Sequence, residues 1–566
     1  MRESIWLPPR LDEPAERLSR ELGISIPAAQ VLVNRGVTSC EDAQHFLFGG
    51  MNDLHDPYLM PDMKKAVDRI EKALSAQENI LIFGDYDVDG VLSVVILMRA
   101  LEKMGGKVDF LVPNRIQDGY GLKPHFLEVI QEKKTSLVIS VDCGIRAVDF
   151  VRLAREKNID VIITDHHLPG PEIPSAEAVV DPALPDSSYP DRKLAGVGVV
   201  FKLVQALLQK RNLDHQFIHY LKLVSIGTIA DIVELRGENR LFVKYGLDAL
   251  RKPSNRGLIS ILEVCGLHQG KPVSAGDVGF RIGPRINAAG RMGDPALAVR
   301  LFSTLSANES AAIAQQLDRL NNQRQKIEQR NYAESLDLIQ VRRLHEKYRM
   351  ILLGSEKWHR GTIGIVASKL KKLFHQPVIL FAYQDGRAYG SGRSIPGFPL
   401  IQCLEDNRSQ FLSYGGHTHA VGCELEQKRM GELKTVLNDY TKRRLSKQDL
   451  KRKIQIDAGM DLDEINGSFM EEMQRLAPHG AGNPRPLFLS EKVKVISPPQ
   501  VLKGRHTKLL VRKENRVYEA LGWGREDWGE ILSSGDEIDI VYSLQTSEYL
   551  GEEQVVLILE DLKPSS

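Results

Sequence analysis

The 566-residue sequence has no apolar run approaching the length of a membrane span, so no transmembrane helix is predicted and no membrane partner is expected. Its opening stretch, MRESIWLPPRLDEP, lacks the apolar core of a secretory signal. Cysteine is scarce: Cys40, Cys143, Cys265, Cys403 and Cys423 are odd in number and form no CxxC pair and no disulfide framework. A reducing, cytoplasmic setting is what these absences imply. Net charge is nearly absent as well; the formal +1 neither selects nor excludes nucleic acid, which is recognised through local patches. Glycine and proline disappear between Ala296 and Leu353, where Ile313, Leu317, Leu320 and Ile327 recur at helical spacing and predict one long helix.

The length implies three or four domains. Residues 1–50 read as a polar helical extension with no evident chemistry, including IPAAQVLVNRG closed by Gly36 and CEDAQHFL. From Ile80 onward, strand-like and helix-like segments alternate (NILIF, VLSVVILMRALEKM, VDFLV, PHFLEVIQEKK, LVISV, AVDFVRLAREK, DVIIT), the rhythm of βαβ units in a doubly wound parallel sheet. That domain is expected over 51–300, with the connecting helix over 301–345 and a smaller α/β domain over 346–455. The basic stretch TKRRLSKQDLKRK reads as a linker or a solvated helix face. After the turn-rich PHGAGNPRP, five short strands predict a small barrel within 456–566.

Two acidic clusters directly follow apolar runs: Asp85, Asp87 and Asp89 in ILIFGDYDVDG, and Asp165, His166 and His167 in VIITDHHLPG. Groups delivered at the C-terminal ends of neighbouring parallel strands converge on one crevice, where open α/β sheets bind their ligands. Asp142 in LVISVDCGI follows a third apolar run and is placed to bridge two ions. Asp231 in GTIADIVEL, in a less regular segment, adds a further oxygen from the side. Taken singly, each aspartate reads more readily as a cap for the next helix. Together they read as a site for a divalent metal pair, and the mixed oxygen and imidazole donors favour Mn2+, with Mg2+ possible, over thiolate metals. Such a pair can activate a water and stabilise a leaving oxygen in phosphoryl chemistry.

The order of these motifs resembles the DHH phosphoesterase superfamily. Within it, GDVGFRIGPRINAAGRMGDP resembles a hallmark of the RecJ exonuclease branch, as do VPNRIQDGYGL, LAGVGVVFKL, GENR, WHRGTIGIVASKL, GSGRSIPGF, YGGHTHAVG and PHGAGNPRPLF. The resemblance runs from about Asn52 to the end. It implies a DHH catalytic domain, a long connecting helix, a DHHA1 domain and a C-terminal OB fold. The implied activity is single-strand-specific 5′ to 3′ DNA exonuclease action in recombination and repair, by a monomer, with single-strand-binding protein and other repair proteins as expected partners.

Carried over residue by residue, the resemblance makes Asp87, Asp89, Asp142, His166 and Asp231 metal ligands, with Asp85 an added ligand or close support. His167 would touch the scissile phosphate and Asp165 would orient an imidazole. Phe83 stands where many superfamily members carry a ligating His, and Asp181 where the RecJ branch more often has Asn. Arg281, Arg285 and Arg291, with Asn287, would bring positive charge to a strand entering the site, the bland reading of GPRINAAGRM being a tight structural loop. The resemblance sets Arg115, Ser391 and Arg393 near a 5′ phosphate, with His417 in a DHHA1 substrate motif. Tyr120 reads as a stacking platform for a base or as a core residue. His359 is a weaker candidate, equally read as a structural hydrogen-bonder.

In the barrel, eight Lys or Arg oppose two Glu between Glu491 and Arg516, and acidic residues dominate beyond. Lys492, Lys494, Lys503, Arg505, Lys508 and Arg512 would line a groove for single-strand phosphates, although a charge run is usually a solvated face. Two rival readings stand beside this one: a small-substrate DHH phosphoesterase, which needs no extended groove, and an inactive DHH-type replication scaffold, which needs no buried, mutually repelling ligands.

Overall fold

The computed structural model describes residues 4–9, 12–114, 118–119, 121–549 and 552–565. The chain separates into two compact units, one built from 1–56, 232–247 and 453–566 and the other from 57–231 and 248–452.

The second unit opens with a parallel sheet of β1 (Asn79–Gly84), β2 (Lys107–Leu111), β3 (Leu137–Val141), β4 (Asp160–Thr164) and β5 (Ala178–Val180), in the order β2-β1-β3-β4-β5. β1, β3 and β4 bury nearly every residue, the reason their sequences are continuous apolar runs rather than alternating ones. The strand order reverses between β1 and β3, and a crevice at that switch point is the place where a doubly wound sheet holds a ligand. α1 (Val88–Lys103) and α2 (Gly196–Lys210) are buried over most of their length, and α3 (Leu221–Asp231) packs with α1.

The segment GPRINAAGRM is helical, forming α4 (Gly283–Met292) rather than a tight loop; it continues directly from a π-helical turn over Val278–Ile282, and Pro284, which has no N–H to donate, sits where that turn passes into the α-helix. Asp231 likewise ends a regular helix; the less regular backbone begins after it. The long helix is α5 (Ala307–Val341), 35 residues or roughly 52 Å. Its buried line departs from the apolar stripe predicted for it. After Ile313 and Leu317 it passes through Asn321, Arg324, Glu328 and Asn331, while Leu320 and Ile327 are only half-buried. Several of these polar groups have partners: Arg324 donates to Glu328 at 2.5 Å and to Asn321 Oδ1 at 2.9 Å, and Asn331 donates to Thr362 at 3.1 Å.

α6 (Arg360–Phe374) packs on a mixed sheet of β6 (Ile351–Ser355), β7 (Val378–Gln384), β8 (Arg387–Arg393), β9 (Ser413–His417) and β10 (Ala420–Glu426), in the order β9-β10-β8-β7-β6. Of the basic stretch, TKRR ends a helix over Met430–Arg444.

In the first unit, Lys453–Gln455 pairs in parallel with Ile5–Leu7. There β11 (Phe488–Val495), β12 (His506–Lys513), β13 (Arg516–Gly522), β14 (Glu537–Tyr549) and β15 (Glu552–Pro564) pair around a closed circuit, β11 meeting both β14 and β12. This is the five-stranded OB-type barrel, although β14 and β15 are 13 residues each rather than short. The N-terminal helices share its core: Leu18, Ala29 and Leu32 are buried in the same cluster as Leu509, Trp528 and Leu557. Buried Arg35 pairs with buried Asp457 at 2.8 Å, and Arg240 donates to the carbonyls of Phe46, Arg475, Leu476 and Ala477. Among the described residues, no helix is long and apolar enough to cross a membrane.

Candidate metal centre

The acidic cluster forms at the strand ends of the switch point. Asp87 caps α1, accepting from the backbone N–H groups of Asp89 at 2.9 Å and Gly90 at 3.2 Å. The capping and metal-site readings of that aspartate are therefore compatible, because one oxygen serves the helix and the other remains for a ligand. Asp89, one residue into α1, is buried, and its oxygens accept from Gly196 N–H at 2.8 Å and Val197 N–H at 2.7 Å at the start of α2. Asp142 follows β3 in the left-handed region, at φ 58°, while its backbone N–H still donates to Thr164. Aspartate tolerates that conformation better than most residues, and the turn aims its carboxylate over the sheet edge.

His166 places Nε2 3.1 Å from Asp142 Oδ1 and 3.8 Å from Asp231 Oδ2. Asp165 turns back instead: it accepts from the N–H groups of Ile145 and His166 and lies 2.7 Å from His167 Nδ1. Three donor groups, each within 4.8 Å, share these residues: Asp85 with Asp87 and Asp142; Asp89 with His166 and Asp231; and Asp142 with Asp165, His166 and His167. All eight side chains singled out in the sequence thus meet. Phe83 offers no ligand; it is buried against Phe126 in edge-to-face contact, at 5.1 Å between ring centres.

Electrostatics mark the cluster as short of positive charge. Burial, then the neighbouring carboxylates, raise the Asp89 and Asp142 carboxyls well above their ordinary value, and burial raises Asp231. Burial pushes Asp181 up to about 7. Asp165 moves the other way: burial opposes it, but the His167 hydrogen bond leaves it below the ordinary range. Burial opposes the protonated form of His166, but the surrounding carboxylates outweigh it and leave that histidine raised. Among the described residues, Asp87, Asp89 and Asp231 have no Lys or Arg ion pair. Buried carboxylates of this kind are stable when a cation replaces their protons, and their hard oxygens with imidazole suit a divalent ion.

Sequence reasoning misses what shapes the cluster. A Cβ at Gly196 would stand 2.6 Å from Asp142 Oδ1, and one at Gly90 2.6 Å from the Asp85 backbone nitrogen. At Gly290 on α4 a Cβ would meet the Tyr86 carbonyl at 2.8 Å, so the helix lies directly against the Asp85–Asp87 turn. Glycines within LAGVGVV and GPRINAAGRM are the available signal, but glycine in a helix does not announce which neighbour requires it.

The substrate candidates divide. Arg281 and Arg285 are held by Asp277 at 3.0 Å and Asp318 at 2.9 Å, and Arg291 donates to the Gly361 carbonyl at 3.0 Å. Asn287 is half-buried on α4. On β8, Arg393 donates to Ser391 Oγ at 3.2 Å, and Gly364 of α6 leaves room for both side chains. His417 on β9 has its protonated form disfavoured by burial and then by His167 and Arg146. His359 caps α6, accepting from Gly361 N–H. Arg115 and Tyr120 lie outside the described residues. In the barrel, Lys494 and Arg512 are exposed register partners on β11 and β12, and Lys503 and Arg505 stand at an exposed turn. Lys508 pairs with Glu519 at 2.5 Å, while Lys492 lies exposed on β11.

A parallel sheet carrying this carboxylate and imidazole cluster defines the DHH phosphoesterases, and the family described as "DHH family, N-terminal domain" matches residues 79–228. The DHHA1 domain matches residues 346–443 and the RecJ OB domain residues 456–561. The chain belongs to the RecJ family. The single-stranded-DNA-specific exonuclease RecJ of Bacillus subtilis is 36% identical over 552 residues, covering 97% of this chain and 69% of that one. The Dickeya dadantii enzyme of the same name is 34% identical, covering 96% and 97%. The fold matches RecJ of Thermus thermophilus solved with Mn2+, with a TM-score of 0.84 and 29% identity over 99% of this chain and 79% of that one. RecJ from the same organism has also been solved with Mg2+.

Proposed function

We propose that this chain is a metal-dependent exonuclease that degrades single-stranded DNA from the 5′ end to 5′-mononucleotides. The observation that carries the reading is the convergence of Asp85, Asp87, Asp89, Asp142, His166 and Asp231 in overlapping donor groups, each within 4.8 Å, in a chain whose relatives are named single-stranded-DNA-specific exonucleases. Those relatives and the RecJ-type barrel favour this reading over a small-substrate phosphoesterase or an inactive scaffold.

In this proposal Asp142 would be shared by two divalent ions, Mn2+ or Mg2+. Asp85 and Asp87 would hold one ion with it; Asp89, His166 and Asp231 would hold the other. Bound metal supplies Lewis-acid stabilisation of phosphate charge and a more acidic water. The protein gathers the ligands within 4.8 Å of one another in each group and fixes Asp89 through two backbone N–H groups. Asp165 fixes the His167 ring so that its Nε2 faces a phosphate oxygen. Ser391 and Arg393, with Arg115, take the 5′ phosphate; Arg291, His417 and Asn287 support the strand, and Tyr120 stacks on a base. Arg281 and Arg285 set the position of α4 and lend it charge. Lys503 and Arg505 lead the barrel's phosphate track.

The same proposal divides the chain into an N-terminal extension over 1–50, DHH over 51–300, a connecting helix over 301–345, DHHA1 over 346–455 and OB over 456–566. It includes action in the cytoplasm as a monomer, with single-strand-binding protein as a partner in recombination and repair. The test is digestion of 5′-labelled and 3′-labelled single strands with Mn2+. Immediate release of labelled mononucleotide from the 5′-labelled strand, with progressive shortening of the 3′-labelled strand, supports the reading; the reverse pattern, or internal cuts, overturns it.

A further inference from the structure

A cavity of about 790 Å3 lies at the other ends of the helices that frame the acidic cluster. α1 carries Asp89 near its start and Arg99 and Lys103 near its end; α2 starts at the amides that hold Asp89 and leads to Arg211; α3 ends on Asp231 and begins beside Tyr220 and Lys222. Asp89 and Arg99 are ten residues apart on α1, roughly 15 Å along the axis. The cavity is therefore separate from the metal centre.

Its chemistry is one-sided. Arg99, Lys103, Arg211, Lys222 and Arg256 line it, together with His219, and no carboxylate does so among the described residues. Three of the cations are engaged at its margin: Arg211 makes two 2.8 Å bonds to Glu71, Lys103 donates to Gln216 at 2.6 Å, and Lys222 donates to the Lys252 carbonyl at 2.7 Å. Arg99 and Arg256 have no ion pair among the described residues. Like charges gathered in a concave site raise the local potential, and two open guanidinium forks match the oxygens of a phosphate chain. The Tyr220 ring, Leu223 and Leu258 supply an apolar wall. The volume falls within the roughly 300–1,000 Å3 of small-molecule sites.

We propose that this cavity binds a nucleoside polyphosphate, its phosphates on Arg99 and Arg256 and its base against Tyr220. The inference is independent of the nuclease reading. Binding needs no catalytic metal, so it is measured by calorimetry in EDTA with four probes: ATP, inorganic tripolyphosphate, adenosine and a twelve-nucleotide oligothymidylate. ATP is expected to bind the wild type and the Asp142→Asn variant alike, more tightly than tripolyphosphate or adenosine. Arg99→Glu/Arg256→Glu should weaken it by about 30-fold or more, through loss of two charge-assisted hydrogen-bonding groups. Should that variant misfold by circular dichroism, Arg99→Gln/Arg256→Gln decides, with a loss of about 10-fold or more expected. The proposal is overturned by absence of ATP binding up to about 5 mM, by unchanged binding in the folded double variant, by tripolyphosphate binding as tightly as ATP, or by the oligonucleotide displacing ATP through the same two arginines.

Discussion

Gly196 donates its backbone N–H to Asp89 across 2.8 Å, and it can approach so closely only because it has no Cβ, which would lie 2.6 Å from Asp142 Oδ1. Gly196→Ala should therefore leave α2 intact, alanine being the better helix former, while displacing the carboxylate assigned as the bridge. Turnover of labelled single strands at saturating Mn2+ should fall by about 100-fold, or roughly 2.7 kcal/mol of barrier. Turnover within about threefold of wild type would show that Asp142 need not sit where it does.

The raised carboxyls of Asp89, Asp142 and Asp231 set a pH dependence for the metal-free protein. Each binds its proton more tightly folded than unfolded, so the folded state holds more protons once the pH exceeds the unfolded value near 3.9, and stability falls as pH rises toward the folded value. His166, also raised, contributes in the same direction: stability present below its ordinary value is lost as pH rises. In EDTA, the melting temperature of wild type minus that of Asp142→Asn should decrease between pH 5 and 8, and Mn2+ should reverse the trend. A difference that grows with pH in EDTA contradicts the assignment.

His479, in the unit that holds the barrel, titrates with the opposite sign. Burial and then Arg485, Arg240 and Arg35 lower it to about 3. Its neutral form is therefore the folded one, and stability is full above about pH 6.5 and declines by about 1.4 kcal/mol per unit below that. Urea midpoints at pH 5.5 and 7.5 measure this directly. His479→Gln should flatten the dependence; an unchanged slope would assign it to another group.

Arg240 has four carbonyl acceptors and lies 3.8 Å over the Phe46 ring, a set that only a planar fork can satisfy together. Arg240→Leu should cost about 3 kcal/mol or more in thermal unfolding, because buried carbonyls lose their donor. Arg240→Lys should recover less than half of that loss, as an ammonium cannot span the four positions. Full recovery by lysine would reduce the role to charge alone.

Lys494 and Arg512 project from adjacent strands, and Lys503 and Arg505 from the neighbouring turn. Reversing these four charges should weaken binding to a long single strand and lower its salt slope by about 0.7 for each phosphate no longer neutralised. Lys508 is omitted from the set because Glu519 already holds it. An unchanged affinity and slope in the folded variant would remove the barrel from the DNA path.

Much of the site is legible in the chain itself, because strand-end aspartates and histidines need only local signals: an apolar run, then a charged residue, then a helix. The parallel sheet, the long helix and the five-stranded barrel follow from periodicity and turn chemistry in the same way. What the residues by themselves determined was which side chains carry the chemistry, since burying Asp89, Asp142 and Asp231 without a cation is costly wherever the chain takes them. Only the tertiary structure decided that Gly196 and Gly290 make room for that cluster, that Arg285 is already held by Asp318, and that the N-terminal helices complete the barrel's core. Those facts depend on which backbone approaches which side chain across tens or hundreds of residues, and local propensity holds no information about such an approach.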